Sequence, residues 1–313
     1  MLLFDCDRPP HPRLICLGLS AFDITWSVES LRLGRGKTRA LDLHEGGGGM
    51  AANAAVAAAK LGAEVQFWGR AGQDRAGAAM RDGLEALAVD VSEFRLFAGA
   101  RSSVSGIVVD ANGERAIVNF RGAGLPADPS WLPLARVAHA DAVLADPRWP
   151  EGALALFQAA RGHHVPTVLD GDVALAPVFD ALLPFVDYAV FSEPGLAAYA
   201  TGANDLEAKL QFARARGCVL AAVTLGERGA MWADGSGVHR LRAFPVNAVD
   251  TTGAGDVFHG AFAFALGAGA PLREAFRFSS AVAALKCTRA GGREGVPTLA
   301  AALSCLERFE ESP

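Results

Sequence analysis

Residues 141–170 read "DAVLADPRWPEGALALFQAARGHHVPTVLD". An apolar run, "DAVLAD" (141–146), gives way to a helical stretch near 151–161, and a second apolar run, "PTVLD" (166–170), follows. Apolar residues in unbroken succession mark a strand covered on both faces, and strands alternating with helices make a mainly parallel sheet. The same rhythm extends outward. On the N-terminal side "RLICLGL" (13–19) reads as a buried strand, "MAANAAVAAAKLG" (50–62) as a helix, "AEVQFWG" (63–69) as a strand and 75–87 as a helix. On the C-terminal side come the strand "YAVFS" (188–192), helices within 195–216, the strand "CVLAAVTL" (218–225), and closing helices near 254–268, 272–287 and 297–309. The expected fold is α/β, with a central sheet sheathed by helices on both faces.

Two stretches break the rhythm. Residues 22–45, "FDITWSVESLRLGRGKTRALDLHE", alternate polar and apolar like a half-exposed strand pair. Residues 102–120, "SSVSGIVVDANGERAIVNF", read as a hairpin turning at Asn112-Gly113. Together they predict a small β flap over one end of a single domain spanning 1–313. No long linker, repeat or low-complexity segment interrupts the chain.

The 313 residues are 51% hydrophobic, enough for a large core, and a net charge of −5 without a basic block argues against nucleic acid as the main partner. Cys6, Cys16, Cys218, Cys287 and Cys305 are scattered without CxxC spacing, so reduced, buried thiols are expected rather than a zinc site or a disulfide framework. The opening "MLLFDCDRPPHPR" lacks a basic region and a proper apolar core, and is not read as a signal peptide. The longest apolar run, around 261–270, is too short to span a bilayer. A soluble, cytoplasmic protein is the expectation.

Two glycine segments imitate nucleotide motifs. "GRGKT" (34–38) would need a glycine at position 31 to be a P-loop, and Leu31 stands there. Lys37 is then a solvated lysine or is free for another task. "GGGGMAAN" (46–53) contains G-x-G-x-x-A, but a dinucleotide fingerprint follows a buried parallel strand, and "LDLHE" alternates instead. Those glycines serve either turn chemistry or close backbone approach by a ligand.

More specific is "NAVDTTGAGDVFHGAFAFAL" (247–266), where Asp256 stands at the start of an apolar helix. One reading makes Asp256 a helix cap. The other notes that Gly253, Ala254 and Gly255 carry almost no side chain, so consecutive amides can form an anion-binding nest with a base beside it. Small residues at all three positions favour the nest. A carboxylate in the first helical turn should have its pKa lowered by the helix dipole. Phosphoryl transfer tolerates so weak a base, because the attacking hydroxyl gives up its proton late. Asp23, Asp170 and Asp172 follow strands, where they are either loop caps or ligand contacts. His163 and His164 are adjacent and cannot share a helix face, and His259 is read as packed or solvated rather than catalytic.

These stretches carry a resemblance. "VDTTGAGDVFHGAF" is similar to the C-terminal signature of the ribokinase-type (PfkB) carbohydrate kinases. "GGGGMAANAAVAAAKLGAEVQFWGRAGQDRAG" resembles their N-terminal signature, and "AAVTLGERGAMW" their nucleotide-side strand and turn. The resemblance covers nearly the whole chain. It implies a ribokinase-like, Rossmann-type three-layer domain with a β lid that often makes a homodimer contact, ATP with Mg²⁺ as donor, and a primary sugar hydroxyl as acceptor. Position by position, it implies that Asp256 is the catalytic base and that Gly253, Ala254 and Gly255 form the anion hole. Asp23, Gly48, Gly49 and Asn53 match sugar-binding positions, and Thr224 and Gly226 match nucleotide contacts. Where many members carry N-x-x-E, this chain has Ser192, Glu193, Pro194 and Gly195. Ser192 then stands on the nucleotide side, and Glu193 is left to reach a metal through water.

"VLADPRW", "TVLDGD", "AVFSEPGL" and "VAALKCTRAGGREGVP" further resemble the bacterial 6-deoxy-6-sulfofructose kinases of sulfoquinovose breakdown. That resemblance implies transfer to the 1-hydroxyl of the sulfosugar, with Lys37, Asn119 and Arg148 on the sulfonate. The alternatives are another ketose kinase, acting on fructose 6-phosphate or fructose, and a sugar sensor that has lost catalysis.

Overall fold

The computed structural model describes residues 11–31 and 36–310. The readings placed on Cys6, on the N-terminal stretch before His11, and on residues 32–35 of the flap and of "GRGKT" lie outside them. In chain order the first half contains β1 (Arg13–Gly18), β2 (Ala21–Ser27), β3 (Asp42–Gly48), α1 (Met50–Lys60), β4 (Glu64–Gly72), α2 (Arg75–Glu85), β5 (Val89–Asp90), β6 (Phe94–Phe97), β7 (Val104–Val109) and β8 (Arg115–Phe120). There follow β9 (Ala142–Ala145), α3 (Pro150–Gly162), β10 (Thr167–Gly171), α4 (Ala176–Leu182), β11 (Tyr188–Ser192), α5 (Glu193–Tyr199), α6 (Leu206–Arg214) and β12 (Leu220–Thr224). The chain closes with β13 (Ala230–Asp234), β14 (Gly237–Leu241), α7 (Ala254–Gly267), α8 (Leu272–Cys287) and α9 (Leu299–Glu310).

The large sheet runs β14-β13-β12-β11-β10-β9-β1-β4-β5, with β6 also paired to β4. From β12 to β5 every pairing is parallel, while β13 and β14 join antiparallel at one edge. The unbroken apolar runs become the central strands, β9 and β10 being buried throughout, and helices cover both faces. Sequence patterning did not single out β5, β6, β13 and β14 as strands. β5 and β6 are short and β14 is the edge strand, where an unbroken apolar run is not required, while β13 is a buried strand that pairs antiparallel with both neighbours.

Strand order reverses at β1. The chain passes from β1 to β4 on one side, then returns to β9 on the other side and continues outward. In open α/β sheets ligands collect at such a switch point, beyond the carboxyl ends of the strands. Asp146, just after β9, pins this point: it is fully buried and accepts hydrogen bonds from the amides of Leu19 (2.7 Å), Arg148 (2.8 Å) and Ala51 (3.1 Å). One carboxylate thus ties the ends of β1 and β9 to the start of α1.

The flap is a separate four-stranded sheet, ordered β3-β2-β7-β8. Its hairpin turns where the Asn-Gly pair predicts, with the Gly113 amide bonded to Asp110 O (2.9 Å) and Gly113 at φ 80°. Gly46, Gly47 and Gly48 belong to β3, an antiparallel flap strand, so no dinucleotide turn exists there. Among the described residues, no helix is long and apolar enough to cross a membrane. Cys16, Cys218 and Cys305 are buried and unpaired, Cys287 is half-buried and unpaired, and burial pushes the Cys16 thiol up to about 12.

α7 is apolar on every side, and Val257 through Gly267 are all buried. It crosses α1 closely: a Cβ on Gly260 would lie 2.2 Å from Ala54 O. Gly260 is one turn beyond Asp256, and Ala54 follows Asn53. The small-residue crossing therefore sets the distance between those two polar side chains.

Candidate active site

Asp256 does not cap α7. The helix begins at Gly253, in the left-handed conformation (φ 69°), and has no side-chain cap. The Asp256 carboxylate instead accepts a hydrogen bond from Asn53 Nδ2 at 2.7 Å. The expected lowering of its pKa is overturned. Burial, reinforced by the nearby Asp170 carboxylate and opposed by the Asn53 hydrogen bond and the His259 ring, raises it to about 7. Removal from water outweighs the helix dipole because the carboxylate is surrounded by protein atoms, although the residue as a whole is only half-buried.

The proposed nest is narrower than the sequence suggested. The Ala254 amide is taken by Thr251 O at 3.2 Å. The first amide of α7 bonded back along the helix is that of Val257, to Gly253 O (2.9 Å). The amides of Gly255 and Asp256 have no backbone acceptor among the described residues. Gly255 also faces open space, with nothing within 4 Å of where a Cβ would be.

The segment before the nest is held by residues that sequence reasoning passed over. Lys286, on α8, is fully buried and donates to Asp250 O (2.9 Å), with the Asp250 carboxylate at 3.9 Å. Asp250 Oδ1 accepts from the Thr252 amide (2.8 Å), and its Oδ2 from the Gly291 amide (3.0 Å). Arg115, from flap strand β8, reaches Thr251 Oγ1 (3.3 Å), Thr252 Oγ1 and Asp250 Oδ1 (3.5 Å). The flap is thus tethered to the loop that enters the nest. A lone lysine inside the apolar run "AVAALKC" was the available clue to Lys286.

Gly255 opens onto a cavity of about 830 Å³, walled by apolar residues such as Phe244, Val246, Phe258 and Ala284. Thr224 and Gly226 line it, so those two nucleotide-side positions share one space with the nest. Ser192 is not among its lining residues. Its hydroxyl accepts from the Gly195 amide (3.0 Å), capping α5, and donates to Asp172 (3.2 Å). The Glu193 carboxylate is paired with Arg228, on the turn beside Gly226.

On the other side of Asp256 lies the flap. Asp23 on β2, Ser105 on β7 and Asn119 on β8 are register partners in one row across the sheet. Asn119 Nδ2 donates to Ser105 Oγ (3.1 Å), while Asp23 Oδ1 is buried without a hydrogen-bond partner. Burial raises the pKa of Asp23 despite its Ser105 hydrogen bond and the charge of Arg293. Lys37 is exposed, in the connection between β2 and β3. The Arg148 guanidinium is already occupied, bonded to Asp172 Oδ2 (2.7 Å) and Val173 O (2.6 Å). Lys37, Asn119 and Arg148 therefore lie on three different segments, and two of them already have partners.

The glycine run around Gly48 serves the protein's own side chains. A Cβ on Gly47 would lie 2.1 Å from Arg293 Nη1, and one on Gly48 would lie 2.0 Å from Asp23 Oδ2. At Gly49 (φ 95°) it would meet Leu19 O at 2.5 Å. Arg293, unnoticed in "AGGREG", is buried, and its Nε donates to Asn53 Oδ1 (2.8 Å). Both ends of the Asn53 carboxamide are thus engaged. Behind Asp256, His259 is buried, with Nδ1 2.7 Å from Gly255 O and Nε2 2.9 Å from Val190 O. This accords with a packed histidine. Asp170, also buried, has its pKa raised well above the usual range by desolvation and by Asp146 and Asp172.

A mostly parallel sheet with a small second sheet, and a half-buried acid directly after a glycine that opens onto a cavity, accord with a sugar-kinase architecture. The chain matches the pfkB family of carbohydrate kinases over residues 11–299, and it belongs to that family. It is 32% identical to the ribokinase of Bacillus subtilis over 261 residues, covering 80% of this chain and 84% of that protein. A solved structure from Agrobacterium tumefaciens, provisionally described as a ribokinase, superposes with a TM-score of 0.91 at 36% identity, covering 97% of this chain and all of the other. Arabidopsis thaliana ribokinase, solved with ribose and ATP, gives a TM-score of 0.82 at 25% identity, covering 95% and 99% of the two chains. These relatives do not support a special closeness to sulfofructose kinases.

Proposed function

We propose that this carbohydrate kinase moves the γ-phosphoryl group of ATP onto a primary hydroxyl of a ketose held under the flap, with 6-deoxy-6-sulfofructose the candidate acceptor at its 1-hydroxyl. The observation that carries the reading is the Asp256 carboxylate, held by Asn53 at 2.7 Å and directly following Gly255, which opens onto the 830 Å³ cavity. The sugar hydroxyl gives its proton to Asp256 as its oxygen bonds to the γ-phosphorus and the bond to the ADP oxygen breaks. With a pKa of about 7, the carboxylate is a competent acceptor near neutral pH. Charge on the phosphoryl oxygens is met by the Gly255 and Asp256 amides and the positive end of α7, with Gly253 and Ala254 shaping the turn. Asp23 Oδ1, a buried acceptor without a partner, is suited to a sugar hydroxyl, and Gly48, Gly49 and Asn53 are assigned to the sugar side with it. Thr224 and Gly226 border the nucleotide, with Ser192 supporting from behind.

ATP fits the cavity by its apolar walls and amide-lined end. A caged metal does not fit: among the described residues no group of three or more His, Cys, Asp or Glu side chains could hold one. Magnesium is accordingly proposed only as the companion ion of the nucleotide's phosphates, with few direct protein ligands.

A second reading, an uncharged or phosphorylated sugar as acceptor, is favoured by the Arg148–Asp172 ion pair, which already neutralises one of the cations assigned to a sulfonate. The test is turnover with ATP and Mg²⁺ on sulfofructose, fructose 6-phosphate, fructose and ribose, with the product's phosphorylated carbon located by NMR. A higher kcat/KM on the sulfosugar, lost about thirtyfold or more in Arg148→Ala, supports the sulfonate. A higher value on any other sugar overturns it, and no turnover on any sugar favours a sensor. The outer flap strands expose Leu43, Ile117 and Val118, and we propose that they pair with a second copy. Sedimentation of a Val118→Lys variant as monomer, against a wild-type dimer, checks this.

A further inference from the structure

We infer that Arg293 is a positioning residue for proton transfer, acting through Asn53 to hold the Asp256 carboxylate. The inference rests on the kinase reading for its meaning but not for its test. Arg293 follows α8 at the far end of the chain, yet its buried guanidinium reaches α1: Nε donates to Asn53 Oδ1 (2.8 Å) and Nη2 to Gly48 O (3.0 Å). A carboxamide has one acceptor end and one donor end. With Arg293 on its oxygen, Asn53 can present only its NH₂ to Asp256, and it does so at 2.7 Å. Without Arg293 nothing in that contact chain fixes which way the amide points, and a flipped amide would set oxygen against carboxylate. A planar fork that grips two acceptors at fixed angles suits this task better than an ammonium.

The seat is built for it. Gly47 leaves the space that Nη1 needs, since a Cβ there would lie 2.1 Å away. The charged groups facing Asp256 are Asp170 from β10, Asp146 from the end of β9 and His259 from its own helix, and those facing Arg293 are Asp23, Glu294 and Asp256 itself. Arg293 is therefore the arginine placed between the base and the sugar-side acid. Loss of the Asn53 donor and of this cation both destabilise the ionised form of Asp256, so both move its titration upward.

The experiment titrates Asp256 directly by carboxyl ¹³C NMR in the full-length protein, without sugar or nucleotide, in wild type, Arg293→Met, Asn53→Ala and the double variant. Arg293→Met should raise the midpoint by about one pH unit, and the double variant should shift by less than the sum of the two single shifts. Gly47→Ala keeps every charge while denying the guanidinium its seat, and it should shift the midpoint in the same direction even if Arg293→Met folds poorly. In assays with ATP and the best sugar of the panel, the acidic limb of kcat/KM should move with the NMR midpoint, while KM for ATP stays within about twofold. A residue with a merely structural role would lower stability and leave the midpoint in place. An unmoved midpoint in Arg293→Met or Gly47→Ala, or fully additive shifts, overturns the inference. Shifted midpoints without turnover of any sugar would instead overturn the kinase reading alone.

Discussion

Replacing Asp256 by asparagine should lower turnover steeply and, at the same time, stabilise the fold in a pH-dependent way. The asparagine side chain keeps the volume and can still accept the Asn53 hydrogen bond, so the change isolates the buried charge. The carboxyl pKa is raised from 3.8 to about 7 on folding. The folded protein thus holds this proton more tightly than the unfolded chain does. Its contribution to stability is fully present below the unfolded pKa and is lost as pH rises through the folded one. A difference of about three pKa units at about 1.4 kcal/mol each makes ionised Asp256 cost about 4 kcal/mol at pH 8. That cost falls to about 2 kcal/mol at pH 5 and below about 1 kcal/mol at pH 4. Urea unfolding of wild type and Asp256→Asn at pH 8 and pH 5 measures both increments. The variant should gain stability at pH 8 and keep about half of that gain at pH 5, while kcat/KM drops by about 10²-fold or more. A variant no more stable than wild type at pH 8, or equally stabilised at both pH values, would refute the account of a desolvated base. Near-normal turnover would refute the role of Asp256 itself.

Other substitutions probe the supports around that acid. Gly260→Val places side-chain atoms where Ala54 O already lies, so it should cost about 2 kcal/mol or more in urea unfolding and lower kcat by separating Asn53 from Asp256. An unchanged midpoint and kcat would show that the α1–α7 crossing does not set the site. Ala284→Trp fills part of the cavity bordered by Thr224 and Gly226. It should raise KM for ATP by about tenfold or more while leaving KM for sugar within about twofold; parallel changes in both would place the nucleotide elsewhere.

Much of this was legible along the chain. The apolar runs within 141–146, 166–170 and 188–192 read as interior strands of a parallel sheet and are β9, β10 and β11, and Asn112-Gly113 between alternating stretches read as the hairpin turn that joins β7 and β8. The small residues before Asp256 marked the proposed nest in the sequence, but the bonding of the Ala254 amide to Thr251 O was not legible there. The glycines at 46–49 were harder to read. Their absent side chains look the same whether the space is left for a ligand or, as here, is filled by Arg293, Asp23 and the β1–β2 connection.

Local pattern by itself determined the architecture and the location of the acid, since burial periodicity and turn chemistry are properties of neighbours along the chain. Tertiary structure alone decided the chemistry of that acid. Its proton affinity comes from desolvation and from the carboxylates of Asp170 on β10 and Asp146 just after β9, its orientation from Asn53 on α1, and the orientation of Asn53 from Arg293, 240 residues away. Electrostatic energy depends on distance through space and on exclusion of water, and neither is written in the order of residues around Asp256.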